Sequence, residues 1–330
     1  MKKKMSTLLA LAGAAALALA GCAGTAGSQA KSSSGSAQSY NVAIAQYVSH
    51  PSLDAAVKGF KAALTDAKLN VTYDVQNAQG DQGTATSIAQ KFASQKPNLV
   101  LAVATPMAQT IAQNVADSPV LFTAVTDPVA AQLVDSNEKP GANVTGTTDL
   151  NPVAEQVALV KQVIPNAKSV GVIYSSGEVN SEVQVKLAKA EAQKQGLTLV
   201  EKKITNSSEV VQAAQTLGDV DAIYVPTDNM VVSALDSVLQ VAHEKKILVV
   251  AGEATSVHNG AALTYGLDYE KLGRQTGEMA VKILKEGADP ATMAVQAQAE
   301  PQLVVNPKAA ELMGTPIPQA LLAKADITVQ

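Results

Sequence analysis

Tryptophan is absent from this 330-residue chain, cysteine and arginine occur once each, and aromatic residues together make up only 3% of it. A lone cysteine excludes an intramolecular disulfide, whatever the compartment. No Cys/His cluster offers a metal site, and no HExxH, GxSxG or phosphate-binding glycine loop occurs. His50, His243 and His258 lie far apart without spaced partners. An enzyme, for instance a hydrolase using His50 and a nearby acid, would need a nucleophile, base and orienter that the chain does not display. Neither a basic patch nor a helix-turn-helix is present, which excludes nucleic acid as a partner. No cofactor and no metal are therefore expected.

What is present is apolar and regular. Hydrophobic residues make up 47% and charged residues 16%, enough for a sizeable core. Residues 1–21 read as an export signal: Lys2, Lys3 and Lys4 precede an apolar stretch, Leu8 to Ala20, too short to span a bilayer comfortably. The stretch ends in Leu19-Ala20-Gly21-Cys22, which resembles a lipobox and makes Cys22 the expected site of acylation. Residues 22–39 are rich in Gly, Ser and Ala and read as a flexible tether. Loss of the leader takes the 25 basic residues to 22 against 29 acidic, a net charge of −7. The expected product is an exported protein anchored by lipid on the extracytoplasmic face.

Beyond Tyr40, short β-branched runs alternate with amphipathic helical stretches. Near-continuous apolar strands alternating with helices predict parallel sheet covered on both faces. The series NVAIAQY, NVTYDV, NLVLAVA and PVLFTAV (starting at 41, 70, 98 and 119) is repeated by SVGVIYS, LTLVEKKI, DAIYVP and KILVVAG (starting at 169, 197, 221 and 246). Val42 matches Val170, Thr105 matches Thr227 and Val120 matches Ile247. The fold class predicted is α/β, with two Rossmann-like lobes of one topology. Ligands of open parallel sheets bind beyond the carboxyl ends of the strands, so two facing lobes enclose a cleft lined by strand-to-helix turns.

Those turns carry helix-start chemistry. Ser52, Thr105, Thr126 or Asp127, Asn180, and Thr227 or Asp228 are each placed to cap the following helix. Helix N-termini also suit a carboxylate, which Ser49, Ser52, Thr105 and Thr126 of the first lobe would meet. Asp127 would oppose an anion and is assigned only a cap. The second lobe presents acids instead, Asp228, Glu253 and Asp268, any of which could hold an ammonium group. Asn229 adjoins them. A zwitterion would bridge such a cleft and stabilise its closure. Tyr47, and Tyr174 at the equivalent position, are candidate aromatic walls, and Tyr265 and Tyr269 flank Asp268. Tyr224, Phe60 and Phe92 are assigned to the core. His50 on a cleft loop is a further candidate contact, and Arg274 is assigned to an ion pair.

NVAIAQYVSHPSLDAAVKGF, NAQGD, ATPMAQ, AVTDPVAAQLV, KPGANVTGTTDL, YVPTDN, DYEKLGRQTGEMA and LVVN, in order, resemble the substrate-binding lipoproteins of ABC importers in the tryptophan/tyrosine-type (TrpX-like) family. The likeness covers residues 40 to 320. It implies a type I periplasmic-binding-protein fold with a three-segment hinge near 148–150, 266–268 and 301–304. Lobe 1 would then hold 40–149 plus 268–296, and lobe 2 would hold 150–267 plus 297–330. It also implies a monomer that closes over a solute, an aromatic amino acid being favoured, and delivers it to an ABC permease driven by its ATPase. A module presenting the solute to a membrane receptor or kinase is the alternative.

Overall fold

A computed structural model of the chain describes residues 38–298 and 300–330. The leader, Cys22 and nearly all of the tether lie outside the described residues. The first sheet is built from β1 (Ser39–Gln46), β2 (Asn70–Asn77), β3 (Leu99–Val103), β4 (Val120–Val125) and β5 (Val144–Thr148), with helices α1 (Pro51–Asp66), α2 (Gln82–Gln95) and α3 (Thr105–Asn114) between the first four strands. The chain then crosses to a second sheet. Helix α4 (Val153–Val163) leads into β6 (Ser169–Ser175), α5 (Val179–Lys194), β7 (Thr198–Ile204), α6 (Val210–Gln215), β8 (Ala222–Val225), α7 (Asn229–Ser233), α8 (Leu235–Lys245), β9 (Leu248–Ala251), α9 (Ala254–His258) and β10 (Leu263–Gly266).

The strand order is β2-β1-β3-β4-β5 in the first sheet and β7-β6-β8-β9-β10 in the second. Val42 and Val170 occupy equivalent registers, facing Leu99 and Ala222, the first residues of the third-strand pairings. The apolar runs dictate this. Strands β3, β4, β8 and β9 are buried at every position, as strands covered by helices on both faces must be. Phe60, Phe92 and Tyr224 lie in the core, Tyr224 donating to Gln156 Oε1 at 2.8 Å.

After β10 the chain returns to the first lobe as α10 (Tyr269–Glu286), packed along α1, and adds the short β11 (Gln296–Ala297) beside β5. It then re-enters the second lobe as β12 (Gln302–Val305), α11 (Pro307–Leu312), α12 (Gln319–Leu322) and β13 (Ile327–Thr328). Strand β12 runs antiparallel to β10, so the second sheet is not wholly parallel. A parallel neighbour needs a long crossover, usually helical, whereas β12 comes straight from the other lobe. Arg274 pairs with Asp66 at 2.8 Å across α10 and α1.

Three segments thus cross between the lobes, and side chains tie them together. Asn151 Nδ2 donates to the Asp149 carbonyl at 2.8 Å, while Asn151 Oδ1 accepts from Leu267 N at 3.0 Å. Gln298 clasps the backbone of Asp268, accepting from its N–H and donating to its carbonyl. No helix among the described residues is long and apolar enough to cross a membrane.

Candidate ligand-binding site

The carboxyl ends of both sets of strands face one another across a closed cleft. An outer groove of about 320 Å³, bounded by Ser49, Pro51, Ser233 and Asp236, lies beside an inner cavity of about 10 Å³, room for one water-sized group. His50 and Val232 line both and form the wall between them. Lobe 1 gives the inner cavity His50, Ser52, Leu53 and Ala124. Lobe 2 gives Thr227, Asn229, Val232 and Glu253, and the crossing segments add Asp149 and Tyr269.

The helix starts differ from the sequence expectation, and the difference matters for ligand binding. Helix α1 starts at Pro51 with His50 as its N-cap residue, α3 starts at Thr105 after Ala104, and α5 starts at Val179 after Glu178. Ser52, Thr105 and Asn180 therefore sit one or two places inside their helices and do not cap them. Ser52 Oγ, Thr105 Oγ1 and Asn180 Oδ1 are buried without a hydrogen-bond partner among the described residues, as is His50 Nδ1. A buried polar atom left unpaired is costly unless something else satisfies it.

Asp228 caps α7, as one of the two candidates expected there, and Glu253 and Asp268 cap α9 and α10. Asp228 accepts from Val231 N at 2.9 Å, Ser175 N at 2.6 Å and Ser181 Oγ at 2.7 Å, all within lobe 2. Glu253 accepts from Thr255 N and Ser256 N, and the residue also lines the inner cavity. Asp268 accepts from Glu270 N and Lys271 N at the start of α10 and is not among the cavity residues. In lobe 1, Asp127 accepts from Val129 N and Ala130 N, while Thr126 donates to Asp149.

The remaining candidates divide. Thr227 and Asn229 line the inner cavity; Thr227 Oγ1 accepts from Gln184, and Asn229 is held by Glu178. Ser49 lies on the exposed rim, donating to Asp54. Tyr47, just past the end of β1, donates to the Gly80 carbonyl at 3.2 Å. Burial raises its pKa to about 12, helped by Glu178, Asp228 and Asp81. Tyr174 lies inside β6 rather than beyond its end, so it points between β7 and α5 and donates to Glu201 at 3.0 Å. Burial lowers the pKa of His50 to about 4, so the ring is neutral near pH 7.

Two carboxylates absent from the sequence-based site bear on it: Asp149 lines the inner cavity, and Glu178 does not but holds Asn229, which does. Glu178 is 2% exposed and accepts from Asn229 N, Asn229 Nδ2, Asn180 Nδ2 and Met230 N. Burial, then the neighbouring Asp228, pushes its pKa up to about 8. Asp149 is 3% exposed and accepts from Tyr269 OH at 2.5 Å and Thr126 Oγ1 at 3.2 Å. The only sequence signal for Asp149 was its place at the first crossing, and for Glu178 its place in a strand-to-helix turn. Among the described residues no group of three His, Cys, Asp or Glu could hold a metal ion.

The sequence profile of ABC transporter substrate binding proteins matches residues 41–329. The chain belongs to that family. This substrate-binding protein is a binder of solute, not an enzyme, and its two lobes are those of a type I periplasmic-binding-protein fold. It is 46% identical over 271 residues to a tyrosine-binding protein of Clostridioides difficile, covering 81% of this chain and 78% of that one. A Streptococcus pneumoniae ABC domain in complex with L-Trp superposes with a TM-score of 0.85 at 36% identity, covering 88% of this chain and all of that one. A ligand-free, open substrate-binding protein with adhesive properties from Clostridium difficile gives 0.65 at 43% identity, with the same coverage.

Proposed function

We propose that this protein is the extracytoplasmic receptor of an ABC importer and closes over an aromatic amino acid, tyrosine or tryptophan. The observation that carries the reading is the closed cleft. Its geometry agrees better with the L-Trp complex than with the open, ligand-free relative, although the latter is nearer in sequence. The unpaired hydroxyl of Ser52, near the N-terminus of α1 and on the inner cavity, suits a ligand carboxylate, whereas Thr105 is not among the cavity residues. Of the acids expected to meet the amine, Glu253 borders the inner cavity. The solute would pass from this receptor to a membrane permease and its cytoplasmic ATPase, with the receptor itself a monomer.

A thermal-shift series on the purified chain tests the ligand class. At a hundred times its dissociation constant a ligand adds about 2.7 kcal/mol of stability. L-Tyrosine or L-tryptophan should raise the melting temperature, and sugars or nucleobases should not. The reverse pattern would overturn the reading.

Cys22 in its lipobox-like setting would carry the lipid that keeps the receptor at the membrane. A Cys22→Ala chain should leave the membrane fraction on cell lysis while keeping its ligand affinity. Retention of the variant in membranes would exclude anchoring through Cys22.

A further inference from the structure

Away from the three crossing segments, no ion pair among the described residues joins the two faces of the closed cleft. An apolar contact does meet there. Met230, the second residue of α7 in lobe 2, is 6% exposed. The end of its side chain lies over Gly80, in the turn between β2 and α2 of lobe 1: a Cβ built on Gly80 would stand 2.8 Å from Met230 Cε and 3.2 Å from Sδ. Met230 lines neither the inner cavity nor the outer groove.

Each side of this contact is fixed within its own lobe. Gly80 N donates to Tyr47 O at 2.8 Å and Gly80 O accepts from Tyr47 OH at 3.2 Å, so Tyr47 grips the residue at both ends. The φ of Gly80 is +75°, which favours glycine, and a larger residue would also strike the methionine. Across the cleft, Met230 N donates to Glu178 Oε1 at 3.3 Å and Asn229 N to Glu178 Oε2 at 3.1 Å. Asp228 secures the same helix start through Val231 N and is itself tied to Ser175 N. The two assemblies are close enough for Glu178 and Asp228 to add to the burial that raises the Tyr47 pKa.

We infer that Met230 is a latch and Gly80 its keeper: their contact, made only when the lobes close, sets how long solute is retained without touching it. The inference rests on closure over a solute, as proposed above. Covering the methionine tip with the bare backbone of Gly80 removes apolar surface from water in the closed state and not in the open one. An unbranched, polarizable side chain suits that role, because it seats on backbone without needing a matched pocket. Solute enters the open cleft before the contact forms, so the latch acts on release far more than on association. Since Met230 lies off the cavity, its effect is the same whichever ring the solute carries.

The absence of tryptophan from the chain lets stopped-flow fluorescence follow L-tryptophan binding and release directly, while calorimetry gives the affinity for L-tyrosine. Met230→Ala should release L-tryptophan about ten-fold faster with little change in association rate, and weaken both amino acids by the same factor. Met230→Leu, close in volume, should restore slow release. Gly80→Ala should hasten release in the wild-type background but much less beside Met230→Ala, where its methyl no longer meets the sulfur; this cycle isolates the contact. An unchanged release rate in Met230→Ala overturns the latch. An effect confined to one amino acid overturns it too, by making Met230 part of the ring site. Additive effects of the two substitutions would do the same by separating Met230 from Gly80. If Met230→Ala folds poorly, Gly80→Ala decides: release at the wild-type rate overturns the latch, and faster release supports it. If neither amino acid binds wild type, the aromatic reading itself falls and the latch with it.

Discussion

A single methyl group added at Gly273 should destabilise the protein by about 3 kcal/mol or more, the upper range for overpacking, and weaken ligand binding with it. Helices α1 and α10 cross with almost no side chain between them. A Cβ at Gly273 would overlap the Ala56 carbonyl oxygen and lie 2.5 Å from its carbon and 2.6 Å from the Ala56 Cα. These are backbone atoms, so no rotamer change relieves the clash and the helices must move apart. Helix α10 begins at Tyr269, whose hydroxyl holds Asp149, so its displacement reaches the cavity. Gly287, at the end of the same helix, separates the possible causes. Its φ is +72°, and an added Cβ there meets nothing within 4 Å. Gly287→Ala should therefore cost only about 1 kcal/mol, from backbone strain, and leave affinity unchanged. Calorimetric melting of both variants is the measurement; equal losses would show that helix proximity is not what Gly273 provides.

The duplicated sheets were legible because a strand buried on both faces must be apolar throughout, and LVLAV and LVVA are. The cleft followed from topology. Which polar side chains at its edge meet ligand and which cap helices was not legible, since that depends on where a helix starts to within one or two residues. Ser52, Thr105 and Asn180 carry good capping groups but lie just inside α1, α3 and α5, which have no side-chain cap. Asp228 caps α7 as expected, whereas Glu253 and Asp268, read as ligand acids, cap α9 and α10. Glu178 precedes α5 without capping it, because its carboxylate reaches across to the start of α7. Glutamate is not a favoured cap, so nothing local marked it. Asp149 acquires its role from Tyr269, 120 positions away, a pairing that only the folded hinge creates.

The stability of wild type should fall as pH rises from about 6.5 to 8, and Glu178→Gln should remove much of that fall. Glu178 has its pKa raised from 4.5 to about 8 by burial and by Asp228. The folded state therefore binds the extra proton between those values. The stabilisation is complete below the ordinary carboxylate value and lost as pH climbs through about 8, with a slope of up to about 1.4 kcal/mol per pH unit. His50 acts in the opposite sense at lower pH. Its pKa is depressed from 6.5 to about 4, so its contribution is present above 6.5 and lost as pH falls toward 4. The two slopes oppose each other between about 4.5 and 6.5, which leaves the Glu178 effect visible on its own only above the histidine range. In Glu178→Gln the amide oxygen can keep the bonds from Asn229 and Asn180, while the amide nitrogen replaces the other oxygen and gives up only the long bond from Met230 N at 3.3 Å. Urea unfolding of both proteins across pH 6.5 to 8 should give slopes differing by about one proton. Parallel slopes would mean that Asp228, whose pKa is also raised by burial, carries the proton of the pair instead.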